Sequence, residues 1–134
     1  MKNNIYIFCP VFLPYAGGGA SYFPLLSNEL IKKQNSVTIY TEYHPQNSFI
    51  SLSSKINVKR PFFKRDSVKS NKIWSIISFF INYFIYIYYT FKISYLDRSA
   101  ILIHTRYYNS FYIFYLRFLK LIFKNITLVN DVRT

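Results

Sequence analysis

The sequence predicts an α/β protein, a Rossmann-like parallel sheet flanked by helices, and three observations lead to this fold class. Short apolar runs alternate with helix-periodic segments along the whole chain. The only three glycines of the chain lie together directly after the first apolar run. Residues 100–104 form a continuous apolar run, as inner strands covered on both faces do. Strands that alternate with helices form parallel sheets through right-handed crossovers.

The first strand begins at Ile5 and runs into a glycine loop at Gly17, Gly18 and Gly19. Glycine permits positive φ and close backbone approach, so this loop holds the freest backbone of the chain. A loop that leads into a helix N-terminus presents N–H groups and the positive end of a helix dipole. The loop therefore predicts a site for a phosphate or another anionic oxygen.

The helix after this loop is predicted over residues 20–33, with Ser21 as its N-cap and Pro24 tolerated in its first turn. Residues 37–41 then predict a second strand. These elements together make a βαβ unit. A weaker extended stretch over residues 55–63 predicts a third strand, which Pro61 confines to an edge or a strand end.

A long apolar segment covers residues 71–95. Residues 73–91 carry no charge, and this uncharged stretch is long enough for a membrane span. Polar and apolar side chains nevertheless lie on different faces of the predicted helix. A polar stripe of this kind favours a helix that covers the sheet over one that spans a membrane. The stripe consists of Ser75, Ser78, Asn82, Tyr86 and Tyr89, and the apolar side of Trp74, Ile77, Ile81, Phe84, Ile85 and Tyr88.

The last three predicted elements are an inner strand over residues 100–104, a helix over residues 107–124 and a strand over residues 126–130. With 134 residues, the chain has room for one domain, residues 1–134. Its 51% apolar and 22% aromatic content excludes a disordered chain. The single cysteine, Cys9, excludes an internal disulfide and is interpreted as a small buried side chain. Prolines interrupt the apolar opening segment, so this segment does not fit a secretory signal. We therefore predict a cytoplasmic protein.

The formal charge of +12, from 17 Lys and Arg against 5 Asp and Glu, favours anionic partners. The basic residues are densest over residues 55–72, which are either a solvated loop or a patch facing acidic lipids. The second interpretation would place the protein peripherally at the inner face of the cell membrane. Nucleic acid is a poor candidate, because the aromatic residues lie in apolar runs and are not interleaved with the charges.

Candidate ligand-binding residues follow four of the five predicted strands, where open α/β sheets have their ligand crevice. They indicate phosphate or sugar recognition, with N–H groups of Gly18 and Gly19 as donors and Arg106 or Arg133 as cationic clamps. No metal or other cofactor is predicted, because His44 and His104 lack ligand partners at suitable spacing. The residues concerned are Gly17, Gly18 and Gly19; Glu42 and His44; His104 and Arg106; and Asp131 and Arg133.

A dinucleotide site is an alternative for the same loop. Tyr22 stands where the glycine fingerprint of such sites requires Gly or Ala, and a bulky ring there would hinder packing of the helix on the strand. Glu42, about 20 residues further on, is placed to hold a ribose. This alternative is less well supported than phosphate or sugar recognition.

Five sequence patterns together resemble the amino-terminal half of the retaining family 4 glycosyltransferases, which have two facing Rossmann-like domains. The resemblance covers nearly the whole chain. The patterns are Pro10 and Pro14 ahead of Gly17, Gly18 and Gly19; Leu26 with Leu30; the strand over residues 37–41; Ile103-His104-Thr105-Arg106; and Val129-Asn130-Asp131-Val132-Arg133.

The resemblance implies an acceptor-side domain that binds near the diphosphate of a nucleotide-sugar donor and a glycan or lipid-linked acceptor. By this likeness, the three glycines lie near the diphosphate and acceptor. His104, Arg106, Asp131 and Arg133 would line the cleft between the domains. The chain departs from the family pattern at Gln34 and Asn35, where a Gly-His pair is usual and where Asn35 can adopt a left-handed turn, and at Asn130, where many relatives have histidine.

The donor-binding half of this family carries two glutamates separated by seven residues, whereas the glutamates here are Glu29 and Glu42. The resemblance therefore predicts an incomplete, truncated or split, glycosyltransferase domain that is inactive alone. A membrane-associated protein without catalysis, built on residues 73–91 and their basic flank, is the alternative of a different class.

Overall fold

The computed structural model describes residues 3–9, 12, 18–44, 53–63, 72–105 and 110–131. These residues form a five-stranded parallel sheet of order β3-β2-β1-β4-β5 with flanking helices, and the predicted α/β, Rossmann-like fold class is confirmed. The elements in chain order are β1 (Asn4–Phe8), α1 (Gly18–Lys32), β2 (Ser36–Glu42), β3 (Ile56–Phe62), α2 (Lys72–Leu96), β4 (Ile101–Thr105), α3 (Ser110–Ile122) and β5 (Thr127–Asp131).

The two faces of the sheet carry two separate hydrophobic clusters, because side chains alternate along each strand. On β1, Ile5 and Ile7 point to the face covered by α1, whereas Phe8 points to the face covered by α2 and α3. The α1 cluster is mainly aliphatic. The α2–α3 cluster is rich in aromatic rings, among them Phe8 stacked on Tyr40 at 4.9 Å between ring centroids.

Helix α1 begins earlier than the sequence predicted. It starts at Gly18, so Ser21 lies inside the helix and the prediction of a Ser21 N-cap was wrong. Pro24 lies within the helix and not in its first turn, and it is buried. Gly18 and Gly19 lie in the first turn, and because glycine has no side chain, neither residue hinders this earlier start of the helix.

The C-terminal end of α1 is closed by a Schellman motif. The N–H of Gln34 donates to the carbonyl of Ile31 at 2.8 Å, and the N–H of Asn35 donates to the carbonyl of Leu30 at 3.2 Å. Gln34 adopts the left-handed conformation with φ of 63°. The sequence pointed to Asn35 for this turn, whereas Asn35 instead donates its side-chain amide to the Leu30 carbonyl at 3.0 Å.

Strand β3 lies at an edge of the sheet and pairs with β2, as Pro61 predicted. Proline lacks an N–H, and an edge strand needs hydrogen bonds on one side only. The register of β2 and β3 shifts between Tyr40 and Glu42, near the end of the pair. The third strand is thus present at the predicted position.

Helix α2 covers the sheet, as its polar stripe predicted, but from Ser78 onward its polar side faces inward, whereas Ser75 is exposed. Tyr86 and Ile93 belong to the cluster under the helix. Phe84 and Tyr88, on the apolar side, are exposed. This orientation reverses the usual arrangement of a surface helix. The buried residues of α2 are Ser78, Asn82, Tyr86, Thr90, Ile93 and Ser94.

Hydrogen bonds satisfy the inward polar side chains of α2. Asn82 accepts from the N–H of Phe63 at 2.7 Å and donates to its carbonyl at 2.9 Å, which ties α2 to the end of β3. The Thr90 hydroxyl lies 2.8 Å from the Tyr86 carbonyl and 2.9 Å from the Tyr115 hydroxyl of α3. Ser94 donates to the carbonyl of Thr90 at 2.8 Å. Because these groups are paired, their burial is not penalised as that of unpaired groups would be.

Helix α3 and strand β5 lie close to their predicted positions. The observed helix is shorter than the predicted range 107–124, whose first residues fall outside the described residues. The ammonium group of Lys120 donates to the carbonyls of Lys124 and Ile126, which ties the end of this helix to the turn before β5. Strand β5 extends one residue beyond the predicted range 126–130, to Asp131.

Candidate functional site

The strand order brings the ends of β1, β4 and β5 together at the carboxyl edge of the sheet. In the register of the strands, Phe8 is the partner of His104, and His104 is the partner of Asn130. One residue further on, Thr105 is the partner of Asp131. Helix α1 follows β1, so its first turn begins at this same edge. Open parallel sheets bind ligands in this region.

The predicted site residues within the described part of the chain are distributed along this edge. Gly18 and Gly19 lie in the first turn of α1, Glu42 ends β2, and Asp131 ends β5. His104 is the residue before the end of β4. The sequence predictions for Gly17, Arg106 and Arg133 lie outside the described residues.

The first turn of α1 provides the polar backbone groups of the edge. The first four N–H groups of any α-helix lack an acceptor within the helix. In α1 they include those of Gly18 and Gly19, so these N–H groups belong to a helix N-terminus and not to a preceding loop. A helix N-terminus attracts anions through its partial positive charge.

His104 is the most unusual side chain at this edge. It is 7% exposed, and its Nδ1 atom is buried with no hydrogen-bond partner among the described residues. Burial lowers the pKa of His104 from 6.5 to about 4, so the imidazole is neutral near pH 7. A neutral imidazole carries one donor and one acceptor nitrogen. His104 can therefore exchange hydrogen bonds with a hydroxyl group but is poorly suited to hold an anion by charge.

A second polar cluster lies on the α1 face of the same edge, and sequence reasoning missed it. The guanidinium Nη1 of Arg60 donates to the carbonyl of Glu42 at 2.8 Å. Cys9 and Thr41 are fully buried beside this pair. Burial raises the pKa of the Cys9 thiol to about 12, although a hydrogen bond with Thr41 and the charge of Arg60 both oppose the rise. The prediction that Cys9 is a small buried side chain is confirmed, and its thiol is unreactive near pH 7.

Strand alternation could have revealed the position of Arg60. Ile56 and Val58 pack against the α1 cluster, and Arg60 is the next residue of this series at a spacing of two. Sequence reasoning counted Arg60 within the dense basic stretch and did not separate it from its solvent-facing neighbours. Lys59, on the opposite side of β3, instead lies over the ring of Tyr40 at 5.6 Å.

Metal ligands are not gathered at this edge: within the described ranges, no three His, Cys, Asp or Glu side chains could hold a metal ion together. Comparison with protein-family models, curated proteins and solved structures gives no match for this chain. The class that fold and edge define is a Rossmann-like α/β domain. The function of this domain is therefore inferred from the side chains and backbone groups at the carboxyl edge of the sheet.

Proposed function

We propose that this chain is the acceptor-side domain of a glycosyltransferase, which places a glycan or lipid-linked acceptor and the diphosphate of a nucleotide-sugar at the carboxyl edge of the sheet. The observation that carries the proposal is His104, a buried neutral imidazole beside the ends of β1 and β5. Its Nδ1 atom has no hydrogen-bond partner among the residues that the structure describes, and it lies at the edge where open sheets bind ligands.

The sugar of the acceptor or of the nucleotide-sugar donor is expected to interact with His104 through a hydroxyl group. Hydroxyl groups both donate and accept hydrogen bonds, which matches a neutral imidazole. A group with a pKa of about 4 stays uncharged across the range in which a cytoplasmic enzyme works. His104 is therefore assigned to recognition of the sugar, and the charge of the diphosphate has to be balanced elsewhere.

The diphosphate is assigned to the N-terminus of α1. Gly18 and Gly19 open this helix and allow an anion to approach the backbone closely. The overall charge of +12 attracts such a ligand to the protein. Arg106 and Arg133 remain the proposed cationic clamps, on the sequence pattern alone. Sugar transfer itself requires a donor-binding unit with carboxylates, so we expect no turnover from this chain alone.

Titration of the full chain with uridine diphosphate, UDP-glucose and NAD⁺, followed by backbone amide NMR, tests the proposal. We expect shifts at Gly18 and Gly19 with both uridine ligands, a shift at His104 with UDP-glucose, and weaker effects with NAD⁺. The His104→Ala variant should weaken UDP-glucose binding about ten-fold, as the loss of a buried hydrogen bond does. The Ser99→Ala variant, at the opposite edge of the sheet, is the matched control.

Three outcomes would contradict this function. Amide shifts confined to the amino edge of the sheet would show that the ligand does not bind at the carboxyl edge. Preference for NAD⁺ would favour the dinucleotide alternative, in which Tyr22 packs half-buried against the core in place of a small residue. Sugar transfer by the purified chain alone would contradict the requirement for a second unit.

A non-catalytic, membrane-associated protein is the second candidate function. It is favoured by the exposed apolar side of α2, which sugar binding does not explain. A chain that binds membranes but gives no amide shifts with any of the three nucleotides would support this candidate over the first.

A further inference from the structure

The outward sides of α2 and α3 form one apolar surface, here called the outer face. Both helices lie on the same side of the sheet, and they are joined by the bond between Thr90 and Tyr115 and by the edge-to-face rings of Phe91 and Phe123. Exposed apolar surface on this scale marks an interaction site. The outer face consists of Ile77, Phe80, Phe84, Tyr88, Phe91 and Tyr95 of α2, and Phe114, Phe118 and Leu121 of α3.

The sequence of α2 keeps this surface apolar along the whole helix. The residues on its outward side recur at intervals of three and four, so they remain on one side of a straight helix from Ile77 to Tyr95. The polar side chains that could have made this side soluble point inward, where Asn82 and Thr90 are engaged in hydrogen bonds. The apolar outer face is therefore a consistent feature of the helix.

The charged side chains on and beside these two helices are almost all basic. No Asp or Glu occurs within residues 72–96 or 110–122. The nearest acid, Asp97, follows α2 and accepts hydrogen bonds from Asn4 and Ser99. The exposed basic residues are Lys72, Lys92, Arg98, Arg117, Lys120 and Lys124.

We propose that the outer face docks onto an anionic lipid bilayer, with α2 and α3 lying parallel to its surface. Apolar and aromatic side chains enter the boundary between headgroups and acyl chains, while the surrounding Lys and Arg contact acidic headgroups. This surface is independent of the sugar-transfer proposal, because it lies on the helices and not at the carboxyl edge.

The charge pattern and the packing favour docking on a bilayer surface over contact with a second copy of the chain and over a membrane-spanning α2. A second copy of the chain would bring two outer faces with the same basic residues together, and neither helix offers a carboxylate to pair with them. Helix α2 is apolar and long enough to cross a membrane by length and composition. Spanning would, however, separate Asn82 from Phe63 and Tyr86 from the core of the sheet.

Vesicle binding by the full chain tests the proposal. The chain should sediment with vesicles of phosphatidylcholine and phosphatidylglycerol, bind vesicles of phosphatidylcholine alone at least about ten-fold more weakly, and lose affinity as salt rises. Trp74 is the single tryptophan and lies half-exposed on α2. Its emission should shift to shorter wavelength on binding.

Matched variants separate this surface from general hydrophobicity and charge. Phe84 and Leu25 are each 66% exposed, but Leu25 lies on α1 at the opposite side of the sheet. Phe84→Ser should weaken binding about ten-fold, and Leu25→Ser should leave it unchanged. Likewise, Lys92→Gln and Arg117→Gln should each weaken binding about five-fold, and Lys33→Gln, directly after α1, should leave it unchanged. Urea denaturation of every variant verifies that it folds.

Four results would overturn the proposal. These are absence of vesicle binding, equal binding to neutral and anionic vesicles, and equal effects of Phe84→Ser and Leu25→Ser. The fourth is resistance of the expressed chain to carbonate extraction, which would indicate a spanning helix. A concentration-dependent dimer that Phe84→Ser dissociates, in a chain that does not bind vesicles, would assign the outer face to a second copy instead.

Discussion

The two helical layers of this domain solve the same packing problem in opposite ways. Helix α1 covers its side of the sheet with apolar residues such as Phe23 and Leu26, and it turns charged residues such as Glu29 and Lys32 outward. Helix α2 buries Ser78, Asn82, Thr90 and Ser94 and exposes its aromatic side. Periodicity alone therefore identifies the faces of a helix but not which of them is buried.

Hydrogen bonding explains why α2 can bury its polar side whereas α1 buries its apolar side. A polar side chain can face a core without a large penalty when its partners are present in the helix or in the neighbouring element. In α2 those partners are carbonyls of the preceding turn and the backbone of Phe63. The space between them is filled by rings, among them Tyr86, which meets Phe8 edge-on at 5.1 Å.

The largest expected effect comes from removing the ring that holds the α2–α3 side together. Phe8 is fully buried between Tyr40 and Tyr86, so Phe8→Ala should lower the free energy of unfolding by about 4 kcal/mol. Phe84→Ala, on the outward side of α2, should change it by less than about 0.5 kcal/mol. Urea denaturation measures both. Similar losses from the two variants would show that the apolar side of α2 is also buried.

Acid should destabilise the α2–α3 side through His104. The unfolded chain takes up a proton near pH 6.5, whereas the folded chain does so only near pH 4, because burial lowers the pKa of His104 to about 4. The free energy of unfolding should therefore fall by about 3 kcal/mol as the pH drops from 7 to 4, and by less than about 0.5 kcal/mol more from this group below pH 4.

The His104→Gln variant isolates this contribution, since glutamine does not titrate. Asp97 also loses stabilisation in acid: burial raises its pKa, but hydrogen bonds from Asn4, Ser99 and Tyr6 outweigh this and hold the pKa below its ordinary value. The loss of stability through Asp97 is expected to be the same in the wild type and in the His104→Gln variant. Parallel pH profiles of wild type and His104→Gln would mean that His104 is not buried.

A smaller effect is expected where α2 is tied to β3. Asn82→Ala removes two hydrogen bonds to the backbone of Phe63 and should cost about 2 kcal/mol. Asn57→Ala, at an exposed position of β3, is the matched control and should cost less than about 0.5 kcal/mol. A negligible loss from Asn82→Ala in denaturation curves would contradict the inward orientation of the polar stripe.

The smallest expected effect is a gain on the α1 side. Gln34 has φ of 63°, a conformation that costs a residue with a Cβ about 1 kcal/mol or more. Gln34→Gly should raise the free energy of unfolding by up to about 1 kcal/mol, since the entropy cost of glycine offsets part of the relief. Gln34→Ala retains the Cβ and should give no such gain. Thermal denaturation compares the three proteins.

The parallel sheet, the edge position of β3 and, to within one residue at each end, the helix over residues 72–96 could be predicted, because they depend on local pattern and on the handedness of crossovers. The start of α1 could not, since the glycines that suggest a loop also permit a helix. The position of His104 at the carboxyl edge followed from the inner strand. The lack of a partner for its Nδ1 atom within the described part of the chain could not be predicted, nor could the contact of Arg60 with Glu42, because both depend on how neighbouring strands register.

The central claim is that α2 buries its polar stripe from Ser78 onward and presents its apolar side outward, and thiol labelling tests it most directly. Cys9 is buried and unreactive, so an introduced cysteine reports its own position. In the folded chain the Phe84→Cys thiol should react with a soluble disulfide reagent at the rate of a free thiol, and anionic vesicles should protect it. The Ser78→Cys thiol should react only on unfolding. Rapid reaction of the Ser78→Cys thiol together with protection of the Phe84→Cys thiol in the absence of lipid would contradict the account.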